Sequence, residues 1–151
     1  MLKSNKIFVN KIKMEKVKKY MACFNNSCLG VLLVRIAIGI VFINAGWMKV
    51  SDMEPVITGF ASMGFNSALA YFVSYAELLG GALILVGLLT RYAAFVIAVI
   101  MIVAVKVLSG NGFSMANGGF EYPLVLAIIS FGLVFLNSGK YSLDQLLCKK
   151  K

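Results

Sequence analysis

Four long runs of apolar residues, at about 29–50, 66–89, 92–108 and 120–137, take up most of this chain and leave only short polar breaks between them. At 1.5 Å rise per residue, about 20 apolar residues in a helix cross the roughly 30 Å hydrocarbon core of a bilayer. The expected fold is therefore all-α, an integral membrane four-helix bundle. Composition agrees: 60% of the residues are hydrophobic, 14% are charged and the mean hydropathy is +0.88. A soluble domain averages about 45–50% apolar and about 25% charged. The first run is too long for a signal-peptide core, carries Arg35 and has no small-x-small cleavage site, so it is expected to be retained.

The breaks divide the chain into a basic N-terminal segment (1–28), a four-span membrane domain (29–138) and a basic C-terminal tail (139–151). Between the first two runs lies "EPVITGFASMGF" (54–65), apolar at Val56, Ile57, Phe60 and Met63. It is too short for a span, and an interfacial helix is expected there. The loop "SGNGFSMANGG" (109–119) is polar and glycine-rich.

The net charge of +9 does not point to nucleic acid, because its distribution follows the spans. Seven lysines precede the first run, Arg91 lies in the middle turn, and Lys140, Lys149, Lys150 and Lys151 follow the last run. The positive-inside rule places both termini in the cytoplasm, and basic flanks suit anionic lipid headgroups. The lipid bilayer is thus one expected partner. There is no histidine, and Cys23, Cys28 and Cys148 lie outside the apolar runs. The spacing of "CFNNSC" is not that of a zinc or redox pair, so reduced thiols and no metal site are expected.

The charges inside the runs carry the functional question. A carboxylate at the depth of Glu77 costs roughly 2.5–3.5 kcal/mol on insertion scales, so it marks a site or a structural ion pair. Counting from the cytoplasmic ends places Arg35 roughly 9 Å deep, Glu77 roughly 18 Å and Lys106 roughly 21 Å. Glu121 and Lys49 fall near the outer boundary, at roughly 26 and 30 Å. On that count Glu77 is expected to meet Lys106 or Arg35, and Lys49 to snorkel or join the cluster. Arg35, Gly39, Phe42, Gly46 and Lys49 form one helical stripe, and Glu77, Gly80, Gly81, Ile84 and Arg91 form another. Small residues on such stripes let membrane helices approach closely, so Gly80 and Gly81 are expected to face other helices.

The segments "VRIAIGIVFINAGWMKV", "YAELLGGALILVGLLTRYAA" and "GGFEYPLVLAIISFGLVFLNSGKYSLD" together resemble the DoxX family of small four-helix bacterial membrane proteins, over about residues 29–147. By matching position, the resemblance singles out Arg35, Lys49, Glu77, Arg91 and Glu121. It implies location in the bacterial cytoplasmic membrane, as a membrane subunit of a quinone-linked oxidoreductase system, bound to a quinone or to an oxidoreductase partner subunit. Arg35 or Lys106 would then hydrogen-bond a quinone carbonyl while Glu77 exchanges a proton. The alternative is a non-catalytic structural or assembly subunit, or a small transporter, whose charges only hold the bundle. No self-contained catalytic site is evident, and homo-oligomerisation stays open.

Overall fold

The computed structural model describes residues 27–136 and 138–148, without the side chains of Ser27 and Cys148. Most of the basic N-terminal segment, Cys23 and the last three lysines lie outside the described residues. Among the described residues six α-helices follow in order: α1 (Ser27–Ser51), α2 (Met53–Ser62), α3 (Ser67–Val86), α4 (Thr90–Leu108), α5 (Glu121–Phe135) and α6 (Leu143–Cys148). Two short 3₁₀ turns, Ser109–Asn111 and Met115–Asn117, shape the loop before α5. Among the described residues there is no strand. The fold is an all-α membrane bundle.

Among the described residues three helices are long and apolar enough to cross a membrane: Cys28–Ser51, Ser67–Val86 and Thr90–Asn111. The fourth run behaves differently. It was expected over 120–137, but α5 has 15 residues and spans only about 22 Å at helical rise. It stops where Leu136 turns extended, ahead of the left-handed Gly139. As expected, the segment between the first two runs is a short helix: α2 buries none of its residues and lies against α3.

Two helix pairs dominate the packing, α1 with α3 and α4 with α5. Glycine explains the first. A Cβ on Gly46 would stand 2.5 Å from the Leu78 backbone nitrogen, and one on Gly39 would stand 2.8 Å from the Leu85 Cβ. A Cβ on Gly81 would meet Ile43 N at 2.8 Å and Phe42 Cβ at 2.9 Å. Backbones this close leave no room for any side chain, and dispersion replaces the hydrophobic drive that lipid cannot supply. Gly80 presses instead on Ile97 of α4, at 2.9 Å from a built Cβ. Both glycines thus face other helices, as the stripe implied. Ile38, Phe42, Ile84, Ile97 and Leu133 fill the core between them.

Gly81→Leu should therefore overpack the α1–α3 seam, at a cost of about 1–3 kcal/mol. Detergent melting checks this; a variant that melts with the parent would mean that α1 does not touch α3 at Gly81.

Candidate functional site

The α1–α3 contacts fix a register, and the register decides which charges meet. In antiparallel order Gly39 faces Leu85, Ile43 faces Gly81 and Gly46 faces Leu78. Continued outward, this levels Lys49 with Tyr75, two residues from Glu77. Flush helix ends would have levelled it with Leu69, six residues or roughly 9 Å farther along α3. The close-packing glycines thus slide the helices past each other and bring Lys49 to Glu77. Lys49 Nζ donates to Glu77 Oε1 at 2.6 Å and to Oε2 at 2.5 Å. The carboxylate side chain is 2% exposed and the lysine 32%.

This corrects the expected partners of Glu77. Arg35, in the same register, lies level with Leu89, about 18 Å along the axis from Glu77. Lys106 is nine residues beyond the buried Ile97, which turns it roughly 180° away from the core-facing side of α4. It is exposed, and its backbone carbonyl accepts from Ser109 Oγ at 2.7 Å. Depth alone had suggested these two cations, but depth carries no information about face or stagger.

Beside the Lys49–Glu77 pair lies a cavity of about 460 Å³ between α3 and α4, covered by α2 and its following turn. Phe60, Met63 and Phe65 line it at the outer end, and Met101 and Glu77 at the deep end. Every other lining side chain is Leu, Ile, Val, Phe or Ala, so Lys49 and Glu77 are its polar groups.

Glu121 does not reach this cavity. It begins α5, where its Oε2 accepts from Met115 N at 3.2 Å and its own N–H donates to Phe113 O at 3.0 Å. Neighbouring Gly119 is packed under the Gly112 and Ser114 carbonyls, where no side chain would fit. The "GGFEY" stretch therefore closes the loop. Arg91 is exposed in the first turn of α4, at the opposite end of the bundle from Glu77.

That opposite end holds a second polar cluster, built around Arg35. Arg35 Nε donates to Ile84 O at 2.9 Å and Nη2 donates to Leu85 O at 3.0 Å. Nη1 donates to Ser138 O at 2.7 Å and to Tyr141 O at 3.1 Å. The last carbonyls of a helix have no partner within it and carry the negative end of its dipole. A buried guanidinium there satisfies both needs of α3. Gly87 ends α3 at φ 76°, with its N–H on Leu83 O at 2.9 Å, and a Cβ on it would collide with the guanidinium.

Asp144 answers Arg35 from α6, and no sequence reading had singled it out. Its Oδ1 accepts from Leu89 N at 2.9 Å and its Oδ2 from Ser138 Oγ at 2.8 Å. Its N–H donates to Gly87 O at 3.1 Å. The aspartate thus caps the positive end of α4 while the arginine caps the negative end of α3. A signal was available: the chain has 6 acidic residues, and Asp144 is the one that follows the last span.

Burial pushes the Asp144 carboxyl up, but hydrogen bonds from Leu89, Ser138 and Thr90, with the nearby Arg35 cation, outweigh this and hold it below the ordinary 3.8. A carboxyl depressed on folding stabilises the fold above its unfolded pKa, and that contribution is lost as pH falls through the folded one. The melting temperature should thus lose an Asp144-dependent increment as pH drops below about 4. Asp144→Asn should flatten that part of the profile; identical acid limbs in the two proteins would remove Asp144 from the clamp.

Among the described residues no group of His, Cys, Asp and Glu could hold a metal ion, and Cys28 carries a free thiol. The chain is 35% identical to "Putative oxidoreductase CatD" of Bacillus subtilis, over 82% of this chain and 90% of that protein. It is 32% identical to "Inner membrane protein YqjF" of Escherichia coli, over 81% and 95% respectively. An "Uncharacterized protein" of Haemophilus influenzae is 30% identical over 91% of this chain and 98% of its own length. No solved structure matches the chain. The DoxX family profile matches residues 30–110, the stretch that holds Arg35, Lys49, Glu77 and Gly87, and the chain belongs to the DoxX family.

Proposed function

We propose that the protein is the membrane subunit of a quinone-linked oxidoreductase system and binds the quinone head group in the α3–α4 cavity, against Lys49 and Glu77. One observation carries this reading: an apolar chamber of about 460 Å³ whose polar groups are a single ion pair. Small-molecule sites measure roughly 300–1,000 Å³ and combine apolar walls with a few polar groups that fix orientation. The donor set suits a quinone ring, which needs hydrocarbon contact on its faces and a hydrogen bond at a carbonyl.

Lys49 Nζ holds both Glu77 oxygens and, with three N–H groups, still has a donor for a carbonyl oxygen. Glu77, shielded from water, can take or return a proton through that lysine. When bound, a quinone supplies a carrier of two electrons and two protons; the electrons exchange with a redox-active partner subunit. The α2 cover keeps the head group from the aqueous side while the chamber meets lipid. The name of the Bacillus subtilis relative, an oxidoreductase, points the same way. The Escherichia coli relative is named for the inner membrane, which supports the cytoplasmic membrane as the location, with both termini inside by the positive charges that flank the spans.

A photoreactive azidoquinone with a short isoprenoid tail tests the reading. Irradiated with the purified protein in lipid nanodiscs, it should label peptides that contain Phe60, Phe72 or Met101. An excess of unmodified quinone should suppress the labelling. Labelling spread evenly over the lipid-facing helices would overturn the assignment.

A further inference from the structure

We propose that this cavity selects by ring chemistry: it takes a quinone whose ring carries no oxygen beyond its two carbonyls, a menaquinone-type naphthoquinone, over a dimethoxylated ubiquinone. The inference rests on the quinone reading above and adds a substrate class to it.

The argument is a count of donors against acceptors. Lys49 Nζ is the single donor atom on the lining, and Glu77 already holds it at 2.6 and 2.5 Å. Held there, one nitrogen has room for one carbonyl. Glu77 as a carboxylate only accepts. The other lining side chains come from α2 and its turn, α3 and α4, and none of them carries an N–H or O–H. The backbone N–H groups of α3 and α4 are engaged within their helices over this stretch. Two adjacent methoxy oxygens on a ring would enter with no donor to meet them, and buried acceptors without partners weigh against binding.

The walls favour the other ring. A naphthoquinone replaces the two methoxy groups with a fused benzene ring, which is pure hydrocarbon surface. Phe60, Phe65 and Phe72 offer aromatic edges and faces to it, and Met63 and Met101 offer polarisable sulfur. Met101 is 8% exposed and sits level with the ion pair, where the ring would stand when its carbonyl reaches Lys49. Apolar pockets discriminate against an added polar group by about ten- to a hundredfold, and we expect a ratio in that range.

Competition decides it. The intact protein in nanodiscs is labelled with the azidoquinone in the presence of graded menaquinone or ubiquinone, both with the same isoprenoid tail length, so that membrane partitioning is matched. The expected result is half-suppression by menaquinone at a concentration about tenfold or more below that of ubiquinone. Equal potency, or ubiquinone the stronger competitor, would overturn the selectivity while leaving quinone binding in place. If neither suppresses the label, the quinone reading itself fails, and the selectivity with it.

Discussion

Arg35→Met should leave a protein that inserts but does not hold its fold, with a melting temperature in detergent lower by about 6–20 °C. The substitution keeps a long apolar side chain and removes four hydrogen bonds, to Ile84, Leu85, Ser138 and Tyr141. Hydrogen bonds to a charged group are worth about 1.5–3 kcal/mol each, and part of that sum is returned because a buried charge no longer has to be desolvated. Breaking a buried polar cluster by removing one member costs about 3–5 kcal/mol net. At about 2–4 °C per kcal/mol for a chain of this size, that is the stated shift. Two further groups lose their counterpart at once, the Asp144 carboxylate and the end of α3. Arg35→Lys should recover only part of the loss, because a point charge cannot reach carbonyls on both α3 and the C-terminal segment. Melting of Arg35→Met within about 2 °C of the parent, less than 1 kcal/mol on the same scale, would show that the cluster does not stabilise the bundle.

The second large effect concerns activity, and it separates a site from a strut. Glu77→Gln keeps the shape of the side chain, so the bundle should still form; Lys49, already 32% exposed, can extend toward the interface. Quinone photolabelling and complementation should nonetheless be lost. Lys49→Met should cost more stability, about 3 kcal/mol, because it strands a carboxylate that is 2% exposed. The double variant should regain most of that loss, since no buried charge is left without its partner. Activity should stay lost in the double variant. Lys106→Met, on the exposed side of α4, should change neither quantity. Full activity in Glu77→Gln alone would leave the pair a structural device and nothing more.

The fold was legible because lipid enforces it. Runs of twenty apolar residues have few places to go, and the bounds of α3 and α4 fall within a few residues of those the runs suggest. The end of α5 was less legible: the Asn-Ser-Gly of "FLNSG" signals a stop nearby but not the residue at which hydrogen bonding ends. For the site, the sequence named Glu77 and Lys49 but did not pair them. Pairing depends on stagger, and stagger is set by where Gly39, Gly46 and Gly81 let backbones touch. Those glycines were visible as a packing stripe; matching them across the two helices, rather than matching the helix ends, would have brought Lys49 within two residues of the level of Glu77. Asp144 was missed for another reason. Its partners are backbone groups at the α3–α4 turn, and backbone amides leave no trace in a pattern of side chains.

The hydrogen bonds of Arg35 also impose an order on biosynthesis. Arg35 emerges with the first helix, when none of its acceptors has been made. The Ile84 and Leu85 carbonyls follow 49 and 50 residues later, and those of Ser138 and Tyr141 follow 103 and 106 residues later. At roughly 5–20 residues per second of translation, the last of them arrives on the order of 5–20 s after the arginine. For that interval the nascent chain carries a charge without a resting place, held at the headgroups or by the insertion machinery. The contacts that settle the first helix are therefore completed only by the segment after the last span, which acts as a checkpoint on it.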